Sequence, residues 1–338
     1  MSKSNLTVSL SPHIHGEQSV KKIMYGVVIA MMPALLVSIY FFGLDAIRVT
    51  LISVAACVLI EYLLQKYVLK TRTTIADGSA IITGILLAFN VPADLPWWII
   101  VIGAIVSIGI AKISFGGLGK NPFNPALVGR VFLLIAFPVQ MTSWPKPQAI
   151  FSPEIADAIT GATPLGILKE GIKNGMTVQQ VFDMPEMPKY IDLMIGNQGG
   201  SLGEMSAIAL LIGALFMFWR KIITWHVPVS YLGTSLLFAF IFWLIDPSMY
   251  VNPLFHLITG GMMLGVFYMA TDMVTSPMSH KGMLIFGAGC GLLTMLIRMF
   301  GAYPEGVSFA ILIMNAFVPL INGGLKPKRF GEKIEKIK

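Results

Sequence analysis

Three short polar clusters interrupt a chain that is otherwise apolar. KNPFNPALVGR places Asn121 and Asn124 three residues apart, a spacing that puts both carboxamides on one face if the turn is helical. Each carboxamide carries donors and an acceptor, so a pair of them can read the edge of a heterocycle. An asparagine ahead of a helix can equally cap its backbone. YMATDMVTSP sets Asp272 between Thr271 and Thr275. A carboxylate there can hold a cation or a ligand amide, or stand as a solvated helix-end acid. Asp77, in IADGSAIITG, occupies the matching place before another apolar run. In DAITGATPLG, Thr163 follows Gly161 and Ala162, so little bulk shields its hydroxyl. That hydroxyl can be modified, or can cap a short helix PLGILKEGI with Pro164 in its first turn. Chemistry alone favours the cap. No catalytic base or Ser-His-Asp set accompanies it, which argues against a hydrolytic nucleophile.

The elements that must position these residues are membrane spans. Of 338 residues, 55% are hydrophobic and 12% charged, with a mean hydropathy of +0.76; no soluble core absorbs that much apolar sequence. The expected fold is an all-α polytopic membrane protein, because only closed helices satisfy their own backbone in lipid when the sequence runs in long apolar segments. Ten spans are expected, at 23–43, 47–65, 78–95, 97–114, 127–140, 203–219, 227–245, 254–272, 282–299 and 306–323. The third and fifth contain Gly, Pro and Asn and read as broken or re-entrant. ITGILLAF in span three echoes ITGGMMLGVF in span eight. The two spans lie five apart, and an odd number of helices per half inverts the second copy, so two five-helix halves would bring their broken helices together near the midplane. The segments are then residues 1–22, spans one to five over 23–140, a polar loop over 141–202, spans six to ten over 203–323, and a basic tail over 324–338.

The formal charge of +7 reads as topology rather than nucleic-acid binding. With the N-terminus cytoplasmic, 18 of the 24 Lys and Arg fall inside, Lys112 and Arg130 among them, and Arg48, Lys146, Lys169, Lys173, Lys189 and Arg298 fall outside. That split places both termini in the cytoplasm and the 141–202 loop on the outer face. The tail KPKRFGEKIEKIK reads as a solvated stop touching anionic lipid. Glu61, near an inner helix end, is expected to snorkel or to pair with Lys66. Glu204 sits in a glycine-rich turn, GNQGGSLGEMSA, that lacks the strand and GK[ST] of a phosphate loop. Cys57 and Cys290 read as small buried hydrophobes, and neither they nor the five His form a metal pattern. No run of ionisable residues marks a complete ion wire.

Asp157-Ala-Ile-Thr160-Gly161-Ala162-Thr163 resembles the D-x-x-[ST]-G-A-T flavinylation motif. Together with SPHIH, GKNPFNPALVGR, GNQGGSLGEMSA, ATDMVTSP and AYPEGVSFAILIMNAFVPLIN, it makes nearly the whole chain similar to the RnfD/NqrB family. The nearer resemblance is to the D subunits of Rnf complexes, which are ion-translocating ferredoxin:NAD oxidoreductases. The B subunits of the sodium-pumping NADH:quinone reductases are the close relatives, with a longer N-terminal extension.

That resemblance implies a ten-helix bundle similar to urea transporters, FMN attached to Thr163 through a phosphoester by a flavin transferase, and a non-covalent riboflavin in the bundle. The riboflavin site carries over to Thr83, Asn121, Asn124 and Asp272. It also implies partners: other membrane subunits, an external FMN subunit, and cytoplasmic iron–sulfur and NADH-binding subunits in a prokaryotic inner membrane. The chain has no nicotinamide fingerprint or cysteine cluster, so that chemistry would belong to the partners. Two other readings compete with an electron carrier coupled to Na⁺ or H⁺ movement: a solute channel, and a structural anchor.

Overall fold

The computed structural model describes residues 19–71, 73–147 and 160–325. The SPHIH segment, Asp157 and the basic residues of the tail lie outside the described residues.

Six helices are long and apolar enough to cross a bilayer among the described residues. Ser19 caps the first, α1 (Val20–Phe42), by accepting from the Lys22 N–H at 3.2 Å, and Gly43 ends it at φ 58°. α2 (Leu44–Leu63) runs on through a π-helical turn at Leu64–Val68. α4 (Trp97–Ala104) continues likewise through Ile105–Ile110. α11 (His226–Ile245), α14 (His280–Phe300) and α15 (Val307–Gly324) complete the six.

Three apolar helices are shorter: α3 (Ser79–Phe89), α5 (Pro125–Ala136) and α10 (Ala207–Trp219), of 11, 12 and 13 residues. A bilayer crossing takes about 20 helical residues, so their ends continue as irregular backbone. Irregular backbone is tolerated at membrane depth only inside protein. α3 obeys that rule, with nine of its residues buried, from Ser79 and Ala80 to Ala88 and Phe89. The eighth expected span is split into α12 (Pro253–Ile258) and α13 (Met262–Leu264), the latter running into a π turn at Gly265–Met269.

The fifth span is interrupted at its far end and not in the NPFNP stretch: α5 stops at Ala136, and Phe137 (φ −131°, ψ 58°) separates it from a short helix that starts at Pro138. The NPFNP stretch ends before the helix: Asn124 caps α5 and Pro125 takes its first position, where no N–H is needed. Span eight is broken as well, between Ile258 and Met262. Gly260 and Gly261 both adopt φ 63°, a conformation that glycine reaches without a Cβ clash.

The first and the last helices of the two halves pack together in pairs. Their first helices, α1 and α10, pack together so closely that a Cβ on Gly213 would lie 1.9 Å from the Ala30 carbonyl oxygen. Their fifth helices, α5 and α15, run antiparallel and cap each other. Arg130 of α5 reaches Ser308 and Glu305 at the start of α15. Asn315 of α15, in the amide orientation that satisfies both groups, accepts from the Asn124 N–H (3.2 Å) and donates to the Thr275 carbonyl (3.1 Å). Small residues at such crossings replace the hydrophobic effect that lipid cannot supply.

The long polar loop is a packed unit. It contains α6 (Pro138–Thr142), α7 (Pro164–Lys173), α8 (Val178–Phe182) and α9 (Tyr190–Ile195). Leu165, Leu168, Val181, Met187 and Leu193 share a core with Val251 and Phe255 of the bundle. A two-residue antiparallel pairing of β1 (Trp144–Pro145) with β2 (Thr160–Gly161) fixes the chain just before Thr163.

Candidate functional site

Thr83, Asn121, Asn124 and Asp272 line one cleft at the N-terminal end of α5. The cleft spans about 770 Å³ with its mouth included. Asn121 and Asn124 do not share a helix face, because Asn121 lies in the irregular stretch ahead of α5. The Asn124 Oδ1 caps α5, accepting from the Ala126 N–H at 3.1 Å, while its amide nitrogen donates to the Met269 carbonyl at 3.3 Å. Asn121 donates to the Phe123 carbonyl at 3.1 Å, and its Oδ1 is buried without a partner. Thr83 donates to the Ser79 carbonyl at 3.0 Å, leaving its lone pairs free to accept. Asp272 is more than a solvated acid. Its carboxylate accepts from the Val274 N–H (3.3 Å) and the Thr275 hydroxyl (3.1 Å), which holds the turn that borders the cleft.

This donor set fits a flavin. The orphaned Asn121 oxygen calls for an N–H, and an unpaired buried acceptor costs about 1–3 kcal/mol. Phe267 and Tyr268 supply aromatic wall, and Met24, Met217 and Met273 are flexible side chains that can yield to a ring system. Lys112 also lines this cleft, and it escapes notice in the sequence as one more basic residue near a helix end. Its ammonium is buried and donates to Glu61 (2.6 Å) and Ser79 (2.7 Å). Glu61 thus pairs with Lys112; Lys66 instead donates to the Tyr62 hydroxyl at 2.7 Å.

Thr163 lies at the other end of α5. Its side chain is buried and caps α7, accepting from the Gly166 N–H at 3.1 Å. It opens onto a second cavity, of about 860 Å³ with its mouth, lined also by Arg130, Trp144, Tyr303 and Phe309. Tyr303 and Phe309 stack with centroids 5.4 Å apart. Arg130 therefore lines the cavity beneath Thr163 and not the Asn121 cleft, although both asparagines and Arg130 belong to KNPFNPALVGR. A phosphoryl group on Thr163 would sit at a helix N-terminus, where the N–H groups and dipole favour an anion, with the Arg130 guanidinium in the same cavity. The aromatic walls suit a flat ring, so these residues also fit a flavin. Lys169 of α7 ties the cap to the bundle through the Gly301 and Tyr303 carbonyls; partial burial holds its ammonium below the usual lysine range.

Two further charges are internal. Arg298, counted as outside from the sequence, is buried and donates to the carbonyls of His256 (2.6 Å), Thr259 (2.9 Å) and Gly260 (2.6 Å) at the α12 break. Glu204 is buried beside it, near Gly261, with Ser201 as hydrogen-bond donor.

The comparisons with known proteins agree along the chain. The model of the NQR2, RnfD, RnfE family matches residues 7–331. The chain belongs to that family. It is 44% identical over 340 residues to the D subunit of the Na⁺-translocating ferredoxin:NAD⁺ oxidoreductase complex of Acetobacterium woodii, covering all of this chain and 98% of that protein. It is 42% identical to the D subunit of the proton-translocating complex of Clostridium ljungdahlii, with 98% of each chain covered. It is 38% identical to the D subunit of the ion-translocating oxidoreductase complex of Pectobacterium atrosepticum, covering 96% of this chain and 98% of the other. All three relatives are D subunits, as the resemblance implied.

Proposed function

We propose that this chain is the flavin-carrying membrane subunit of an ion-translocating ferredoxin:NAD⁺ oxidoreductase. It holds FMN as a phosphoester on Thr163 and riboflavin, without a covalent bond, among Thr83, Asn121, Asn124 and Asp272. The observation that carries this reading is that four residues from three separate spans converge on one cleft, with an unpartnered acceptor inside it. Thr163 opens onto a second cavity at the opposite end of the same helix.

A bound flavin supplies electron acceptance and donation, and the protein supplies position, electrostatics and shielding. The chain's own residues divide that work. Asn121, Asn124 and Thr83 orient a ring edge, Asp272 fixes the bordering turn, and Arg130 offsets anionic charge near Thr163. The Thr163 loop faces outward and both termini face the cytoplasm, in line with the excess of basic residues at the other face. Ferredoxin and NAD⁺ chemistry resides in partner subunits, a flavin transferase loads Thr163, and ion movement follows electron flow.

Intact mass of the purified chain, from a host with a flavin transferase, tests the covalent half. The expected increment is FMN minus water, mapping to Thr163 and absent from Thr163→Ala. Flavin released from Thr163→Ala chain by denaturation tests the other half. A chain with no flavin of either kind that passes solute through liposomes on its own would establish the channel reading instead.

A further inference from the structure

The lining of the cleft at the Asn121 end includes one buried cation, Lys112. Lys112 is 2% exposed, as a side chain, and its partner Glu61 is 1% exposed. Removing two such ions from water costs several kcal/mol each, and a well-packed apolar pair commonly serves a fold as well or better. The charges are also arranged with a direction. Lys112 lines the cleft, whereas Glu61 stands behind it, out of the lining. Glu61 is fixed from the far side by Gln65 Nε2 (3.1 Å) and the Thr74 hydroxyl (3.3 Å). Ser79 accepts from Lys112 and donates onward to Asp77 at 2.6 Å. Two of the three ammonium protons are thereby committed, and the pair forms a clamped dipole with its positive end toward the cleft.

We infer that Lys112 sets the electron affinity of the flavin held in this cleft, with Glu61 as the counter-charge that limits the effect. The inference rests on the flavin reading of the cleft and adds to it a residue with a signed electrostatic role. An electron that reaches the ligand without a proton adds one negative charge. A fixed cation in surroundings of low dielectric favours that reduced form, and a carboxylate behind the cation partly cancels the gain. No bond in the chain forms or breaks. Lys112 keeps its proton, and the electrons come from the external reductant, dithionite in the test below.

The test uses the full-length chain carrying Thr163→Ala, so that only the non-covalent flavin absorbs, in a dithionite titration with mediators followed by visible spectra. Lys112→Met is expected to lower the midpoint potential, with the ratio of reduced to oxidised flavin falling about tenfold at fixed potential, or about 59 mV for a one-electron step. Glu61→Gln is expected to shift it the opposite way, and Lys112→Arg to stay near the parent. A merely structural ion pair would give no opposed shifts, so unchanged potentials, or shifts of one sign, overturn the role of Lys112 while leaving the flavin site intact. If Lys112→Met fails to fold, the upward shift in Glu61→Gln against an unmoved Lys112→Arg decides alone. A parent chain that releases no flavin overturns the reading of the cleft and this inference with it.

Discussion

Asn124 and Arg130 lie six residues apart on α5 and open onto different cavities, Asn124 onto the Asn121 cleft and Arg130 onto the cavity beneath Thr163. At 1.5 Å per residue their separation along the helix is about 9 Å. One helix is thus a wall of both sites, and α15 holds its start and its middle in place. Displacing α5 alters both cavities together.

The Arg130–Glu305 pair is nearly buried, with side chains 8% and 11% exposed. Glu305→Gln leaves the guanidinium without its counter-charge and should destabilise by about 3–5 kcal/mol. The double variant Arg130→Met with Glu305→Gln should recover part of that loss. Thermal unfolding in detergent measures both, and a double variant no better than Glu305→Gln would show that the pairing is not what stabilises.

Thr163 serves as a cap and, in the proposed function, as an attachment point, and two substitutions separate those roles. Thr163→Ala should lose the covalent flavin band on a denaturing gel and also about 1 kcal/mol of α7 capping. Thr163→Ser keeps the cap, so the proteolysis rate of the 160–175 segment should match wild type whatever its flavin content. Equal proteolysis of all three would mean that the Gly166 hydrogen bond adds nothing to α7.

Asn121→Leu removes an oxygen that has no partner in the protein. Flavin-free chain should therefore change in stability by no more than about 1 kcal/mol, because the lost bond to Phe123 is offset by the relieved acceptor. Retention of non-covalent flavin through size exclusion should fall at least about tenfold. Retention equal to wild type would remove Asn121 from the binding set.

Gly260→Ala asks alanine to adopt φ 63° and sets a Cβ 2.2 Å from Leu165 Cδ1. The backbone strain alone costs of order 1–3 kcal/mol. Because Leu165 lies two residues past Thr163, the damage should spread from the α12 break into the α7 loop. Hydrogen exchange should show faster opening across 164–173, and an effect confined to 253–269 would deny that link.

Much of the fold was legible because apolar runs of membrane length declare themselves by length alone. Six of the ten expected spans are helices of membrane length, and the other four coincide with shorter or split helical segments. The site was legible in part. Asn121, Asn124, Thr83 and Asp272 could be named, but only tertiary packing puts Asn121 off the helix and Asn124 on its cap. The burial of three charges left no signal, for one physical reason. Lys112, Arg130 and Arg298 sit near the ends of apolar runs, where lone basic residues are commonly solvated, and their partners Glu61, Glu305 and the carbonyls at the α12 break are remote in sequence. Asn315 left no signal beyond being one polar residue in an apolar helix.

The mutual capping of α5 and α15 also sets a timetable for biogenesis. When α5 enters the bilayer during synthesis, Arg130 has neither Glu305 nor Ser308, and the Asn124 N–H lacks Asn315, because all three belong to chain not yet made. An arginine in a membrane without its partner costs about 2.5–3.5 kcal/mol on insertion scales. The nascent N-terminal half should thus linger as a client of the insertion machinery until α15 arrives, and expressed by itself it should be cleared by membrane quality control.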